Sequence, residues 1–378
     1  MHTWVWILLP LAAPAPADVV EIGRETWERP WMPDLRQPGR QIPIPEGRRI
    51  DVAILGDGYL AGERARFEQD VKAWYDRFLQ YTPWSRLRGA FRVRGLWTPS
   101  AGRATPEKRS HYGIPATPAD VGEVDGAATR AAVFASLERL GVNPARQGRD
   151  LTRAAVVLLV LDERGRNPSG KCRTLASPDE RTRVRAAFAA YTHHEFGHAY
   201  GGLRDEYILK AGSRAARRPP DRLSIATVSN IAYTTERRLL PWAHLAPGSP
   251  LNPDPASVIG VCWLGGVEEE GAWHSEGRCL MNGRHENWDL GRTRRGENLR
   301  DNDRFCFWCE EILVARTFAK AGLLGEGEDG EALWKRWEEL RPSYQKAFDV
   351  AERIRAQNAT DAKARLGEAR IYVRPAEP

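Results

Sequence analysis

His194 and His198 stand four residues apart, and Glu195 directly follows the first of them. On a helix, residues at i and i+4 share a face, so both imidazoles reach one metal ion. A carboxylate one residue past the first ligand is placed to take a proton from water at that ion. Gly201-Gly202 ends the helix, and Asp205 and Glu206 bring carboxylates back toward it. Three of the eight histidines fall between His193 and His198, a concentration that favours a site over an ordinary solvent-facing helix. The implied chemistry is hydrolysis at one bound zinc ion. His194 and His198 supply nitrogen ligands and Asp205 an oxygen, with Glu206 as the alternative third ligand. Zinc acidifies water to a pKa of about 7 and polarises a scissile carbonyl. Glu195 is then the general base, passing the proton on to the leaving amine. Tyr207 is a phenol beside the metal or, equally, a core residue. His193, rotated about 100° from His194, reads as a residue supporting the metal ligands from behind or as a structural one.

Such residues need a scaffold, and the apolar pattern supplies one. Ile50 to Leu55 reads as a strand ending in the turn Gly56-Asp57-Gly58. A helix follows over about residues 61–81, with Phe67, Val71, Trp74, Phe78 and Leu79 on its buried side. Phe91 to Trp97 alternates as a second strand, residues 98–122 form a long loop, and a helix covers about residues 126–140. Ala154 to Leu161 is continuously apolar, as in a central strand buried on both faces. The site helix is expected to start at Ser177, with Pro178 in its first turn and Glu180 as capping-box partner. Its stripe of Val184, Ala187, Phe188 and Tyr191 would run on into His194, Glu195 and His198. Residues 210–277 read as irregular, helix resumes at about 302–321, and residues 331–370 form a charged helical segment. The class is α+β, with an α/β-like upper half. The expected divisions are a signal peptide (1–17), an irregular N-terminal arm (18–48), a domain carrying the zinc site (49–322) and a charged helical tail (323–378).

The 378 residues carry a formal charge of +6, with 42% hydrophobic and 28% charged residues. The basic residues are mostly Arg and scattered, with no basic stripe interleaved with aromatics, so a nucleic-acid partner is not expected. Trp4 to Leu11 and Ala15-Pro16-Ala17 read as an export signal cleaved near Ala17-Asp18, placing the mature chain in the periplasm or outside the cell. No stretch is long and apolar enough to span a bilayer. In an exported chain, Cys262, Cys279, Cys306 and Cys309 most simply form two disulfides of undetermined pairing. A four-thiolate structural zinc competes, because Cys306-Phe307-Trp308-Cys309 has ligand spacing. Cys172 is left as an odd thiol. The acidic runs Glu268 to Glu270 and Asp301 to Asp303 are candidate calcium ligands.

The string His194 to Tyr207, followed by Cys279-Leu280-Met281 and Phe305-Cys306-x-x-Cys309, resembles the IgA peptidase family of secreted zinc metallopeptidases. Gly56-Asp57-Gly58-Tyr59, Pro99-Ser100 and Glu270-Gly271-Ala272 add to the resemblance, which spans about residues 48–320. It implies a metzincin-like zincin: a twisted mixed sheet, an active-site helix, a lower subdomain with a methionine turn, and a C-terminal helix. Met281 would then lie beneath the metal and support the histidines. The chain departs from the metzincin pattern, whose third ligand comes six residues after the second histidine; here that position is Arg204 and the acid is Asp205. His274 stands where a tyrosine is expected and is a candidate substrate contact or extra ligand. The activity implied is endopeptidase cleavage of protein or peptide substrates. A zinc hydrolase of small amides or esters, or a secreted binding module with structural zinc, are the rival readings.

Overall fold

In the computed structural model the described residues are 18–23, 31–34, 37, 39–103, 110–113, 127–142, 154–161, 169–174, 187–188, 192–206, 229–257, 259–266, 269–276, 279–282, 305–323 and 372–376. Their strands are β1 (Val19–Ile22), β2 (Trp31–Pro33), β3 (Gln41–Pro43), β4 (Ile50–Asp57), β5 (Phe91–Leu96), β6 (Ala154–Val160), β7 (Ser169–Thr174), β8 (Ala187–Phe188), β9 (Ile231–Ala232), β10 (Cys262–Gly266), β11 (Glu269–His274) and β12 (Tyr372–Val373). The helices are α1 (Arg64–Phe78), α2 (Ala127–Arg139), α3 (Thr192–Gly201) and α4 (Phe307–Lys320).

Alternation along β4 and β6 sets the layers. Successive strand side chains point to opposite faces. Val52, Ile54, Val157 and Leu159 join one apolar cluster with Phe67, Val71 and Trp74 of α1 and Phe196 of α3. Ala53, Leu55, Val156 and Leu158 join another with Val133 and Leu137 of α2. Both faces are therefore covered by helices, as the unbroken apolar runs of β4 and β6 require. The main sheet has the order β1-β5-β4-β6-β7-β8. β4 runs parallel to β5 and β6, while β1, β7 and β8 join antiparallel, so the sheet is mixed.

Four expectations need correction. The arm 18–48 is not wholly irregular: β1 extends the main sheet along β5, and β2 pairs with β3. The site helix does not run from Ser177. Ala187 and Phe188 instead pair with Gly170 and Ser169 at the edge of β7, and the helix begins at Thr192. A spacing that fits a helical stripe is equally available to a short strand when a neighbouring edge offers backbone partners. Ser177, Pro178, Glu180 and Val184 lie outside the described residues. The lower part is not without regular structure either, because β12-β10-β11-β9 form a second antiparallel sheet. The last helix starts at Phe307 with Cys306 as N-cap, later than the pattern suggested. The signal segment 1–17 and the segment 331–370 lie outside the described residues. Among the described residues no helix is long and apolar enough to cross a membrane.

Candidate metal centre

Helix α3 is held by its inner face. Phe196, fully buried, meets Trp74, Phe78 and Trp84 edge-on and stacks on Tyr200 at 5.2 Å. Burying an aromatic of this size contributes roughly 1.5–3 kcal/mol, and each good ring pair about 0.5–1.5 kcal/mol more. Tyr200 Oη and Thr317 Oγ1 of α4 lie 2.7 Å apart. His193 lies on the same inner side, its ring stacked on Trp74 at 4.9 Å and its Nε2 donating to the Trp74 carbonyl. Burial depresses the His193 pKa to about 3, so the ring is neutral and structural, as its rotation away from His194 suggested.

The opposite face carries His194 and His198. His194 Nδ1 lies 2.8 Å from the Leu280 carbonyl, and His198 Nδ1 lies 2.6 Å from the Leu203 carbonyl. A carbonyl only accepts, so each Nδ1 is the N–H, and each neutral ring presents its lone pair at Nε2. Those two Nε2 atoms are 3.0 Å apart, and Asp205 Oδ1 lies 3.0 Å from the first and 3.1 Å from the second. Three electron-pair donors thus converge on one point. Two imidazolium rings could not face each other so closely, whereas a single cation satisfies all three groups. The donor set, two neutral imidazoles and one carboxylate, is the one zinc takes in hydrolytic sites.

Local backbone brings Asp205 there. Gly202 takes φ of 56°, a left-handed conformation that closes the helix, with its amide donating to the His198 carbonyl. The chain reverses, so Leu203 presents its carbonyl to His198 and Asp205 meets both rings. Asn230 fixes this return: its Oδ1 accepts from the Arg204 amide, and its Nδ2 donates to the Arg204 carbonyl and to Glu206 Oε1. Asn230 is a positioning residue with no sequence signature. The loop that carries it is tied to α4 by Trp308 Nε1, which donates to the Ser229 carbonyl.

Met281 lies in a tight turn over Leu280–Asn282, fully buried against α3. A Cβ built on Gly197, which directly precedes His198, would come within 2.9 Å of Met281 Sδ. The thioether therefore packs where the helix lacks a side chain. The same turn gives its Leu280 carbonyl to His194 and its Met281 carbonyl to the Glu206 amide.

The other expected site residues fall as follows. Glu195 lies on α3 directly after His194, but its side chain is outside what is described, as is Tyr207. Glu206 points away from the histidines into a buried group with Cys279, Cys306 and Cys309, leaving Asp205 as the acid at the imidazoles. Burial pushes the Glu206 carboxyl well above its ordinary range, with Cys306 adding to the effect. His274 is not part of the centre: it is buried on β11, and its Nδ1 donates to the Gly265 carbonyl at a register shift in the β10–β11 hairpin. The expected disulfides are a correction. Cys262, Cys279, Cys306 and Cys309 are all free, because three of them converge on Glu206 while Cys262 sits in β10 opposite Val373. Cys172 is on β7 opposite Val157. The side chains proposed for calcium, Glu268 to Glu270 and Asp301 to Asp303, lie outside the described residues.

The family model for IgA Peptidase M64 matches residues 41–121, consistent with the resemblance drawn from the motifs, and it supports a peptidase. The matched segment ends before the histidines. Within it, Gly58 and Ser100 are joined directly, the Gly58 amide donating to Ser100 Oγ and the Ser100 amide to the Tyr59 carbonyl. No curated protein matches the chain.

Proposed function

We propose that this chain is an exported, metzincin-like zinc endopeptidase that cleaves protein or peptide substrates. The observation that carries the reading is the convergence of His194 Nε2, His198 Nε2 and Asp205 Oδ1, each within 3.1 Å of the others. Zinc bound by these three atoms supplies Lewis acidity, acidifying water and polarising a scissile carbonyl. Glu195, next to His194 in the chain, takes the proton from the attacking water and returns it to the leaving amine nitrogen. The carbonyls of Leu280 and Leu203 hold both histidines in the tautomer that keeps their Nε2 lone pairs available. Met281 fills the floor beneath α3 and fixes the height of the helix against the turn.

The test is the pair of zinc content and proteolysis. Glu195→Ala should keep its zinc and lose about 10²–10⁴-fold in turnover of casein or a peptide substrate. A variant that cleaves at the wild-type rate refutes the role of Glu195. A wild-type protein that ignores chelators, or that turns over small amides and esters but no peptide, refutes the endopeptidase reading.

A further inference from the structure

Away from the histidine face, the described residues hold a second convergent group. Glu206, Cys279, Cys306 and Cys309 each bring one ligand-type atom within 4.8 Å of the others, and all four are buried. They come from three separate segments: the return after α3, the methionine turn and the N-terminus of α4. Cys309 Sγ lies 3.1 Å and Cys306 Sγ 3.9 Å from Glu206 Oε1. Tetrahedral zinc, with Zn–S near 2.3 Å and Zn–O near 2.0 Å, spaces its ligand atoms about 3.5–3.8 Å apart, and the observed separations bracket that range.

Backbone amides are aimed at two of the three sulfurs. The amides of Cys306 and Met281 donate to Cys279 Sγ at 3.2 and 3.4 Å, and the Cys309 amide donates to Cys306 Sγ at 3.4 Å. A neutral thiol is a weak acceptor, so three amides aimed at two sulfurs are better matched by charged ones. Glu206 supplies an independent sign. Its Oε2 is fully buried and has no hydrogen-bond partner, a costly state for a carboxyl oxygen unless something else satisfies it.

We propose that Glu206, Cys279, Cys306 and Cys309 form a second, structural zinc site. Four protein ligands close a tetrahedral shell and leave no position for water or substrate, which separates this site from the open histidine centre. A zinc ion held here would be met by three thiolates and a carboxylate, so any proton still on a thiol or on the Glu206 carboxyl would pass to solvent as that group ligates. The site would clamp both sides of the histidine centre. Glu206 directly follows Asp205, and the Met281 amide that bonds Cys279 Sγ belongs to the turn whose Leu280 carbonyl orients His194.

The experiment uses the purified full-length chain and reads zinc content together with the zinc X-ray absorption spectrum. The double variant His194→Ala/His198→Ala should retain a single zinc with a sulfur-dominated shell. Cys306→Ser/Cys309→Ser should lose that ion. A zinc-free histidine variant, a shell of only nitrogen and oxygen, or a native mass lowered by a disulfide among these cysteines overturns the proposal. If the cysteine variant fails to fold, the histidine variant and the wild-type spectrum still decide. The proposal does not depend on the peptidase reading. Sulfur-bound zinc in a protein without proteolytic activity would keep this site and discard that reading, and an active peptidase without sulfur-bound zinc would do the reverse.

Discussion

His194 and His198 face each other through Nε2 atoms 3.0 Å apart, while each Nδ1 is committed to a backbone carbonyl. Neither carbonyl comes from α3's own ladder. One belongs to the methionine turn and the other to the reversal after Gly202. The tautomers, and with them the capacity to hold a cation, are set by backbone brought in from outside the helix.

The acid that completes this pair is the first point to test. Asp205→Asn keeps the size and a carbonyl oxygen but removes the charge that offsets the cation. Zinc affinity, followed by adding zinc back to chelator-treated protein and recording turnover, should fall at least tenfold. Glu206→Gln, one residue on, should leave both imidazoles and Asp205 able to bind, although it removes a ligand of the thiolate group. If Asp205→Asn binds zinc like the wild type while Glu206→Gln cannot be reactivated at any zinc concentration, the ligand assignment is wrong.

Lys320, at the end of α4, is buried, with Tyr200's ring 5.2 Å from its amine. Burial, with Arg316 nearby, lowers its pKa to about 7. In the unfolded chain it titrates near the ordinary lysine value of about 10.4. Between those values the unfolded state holds the extra proton, so this group makes stability rise with pH and fall as pH drops toward about 7. The maximal slope is about 1.4 kcal/mol per pH unit. Denaturant midpoints from about pH 7 to pH 9.5 should therefore rise less steeply in Lys320→Met than in the wild type. Parallel profiles would show that Lys320 stays charged in the fold.

Much of this was legible in the sequence, and the limits have physical causes. β4, α1, β5, α2 and β6 lie close to where apolar periodicity puts them, because each buries a regular face. The spacing of His194 and His198 points to one metal, whereas the choice of Asp205 over Glu206 depends on how the chain returns after Gly202. The stripe through Ala187 and Phe188 misled because the edge of β7, which sequence does not reveal, offered those residues a strand. β9 and β12 have two residues each and exist only through pairing with distant partners. Cys306-x-x-Cys309 announced ligand spacing, but the grouping with Cys279 and Glu206 depends on how three segments meet. Asn230 carried no signal, since a single buried amide gains its role only from the loop it ties.

Gly197 is the place where helix and methionine turn press together. Adding a methyl group there puts a carbon 2.9 Å from Met281 Sδ and 3.2 Å from the Phe305 ring. Overpacking of this kind costs about 1–3 kcal/mol. Gly197→Ala should lower the unfolding midpoint and weaken zinc binding at the histidines, since the helix must lift off the turn that holds His194. Gly197→Ala combined with Met281→Ala should recover part of the zinc affinity by making room. Gly197→Ala with wild-type stability and wild-type zinc dependence would mean that the turn is soft and Met281 is only filler.

Asn230 gives the sharpest test of how Asp205 is positioned, because it touches neither histidine. Its amide satisfies the Arg204 amide, the Arg204 carbonyl and Glu206 Oε1 at 2.7–2.9 Å, all within one residue of Asp205. Asn230→Ala leaves these groups without that partner in a buried setting, at a cost of roughly 1–3 kcal/mol for each that water cannot reach. The return after Gly202 would loosen, and Asp205 would sample positions away from the Nε2 pair. Zinc affinity should drop about 10–100-fold, as for other residues that orient a ligand without touching the metal. Turnover at saturating zinc should largely recover, since no reacting group has been removed. A merely structural residue would lower stability and leave the zinc dependence of activity unmoved. Asn230→Asp discriminates further: it still accepts from the Arg204 amide but cannot donate to Arg204 or Glu206 when ionised, so it should fall on the side of Ala.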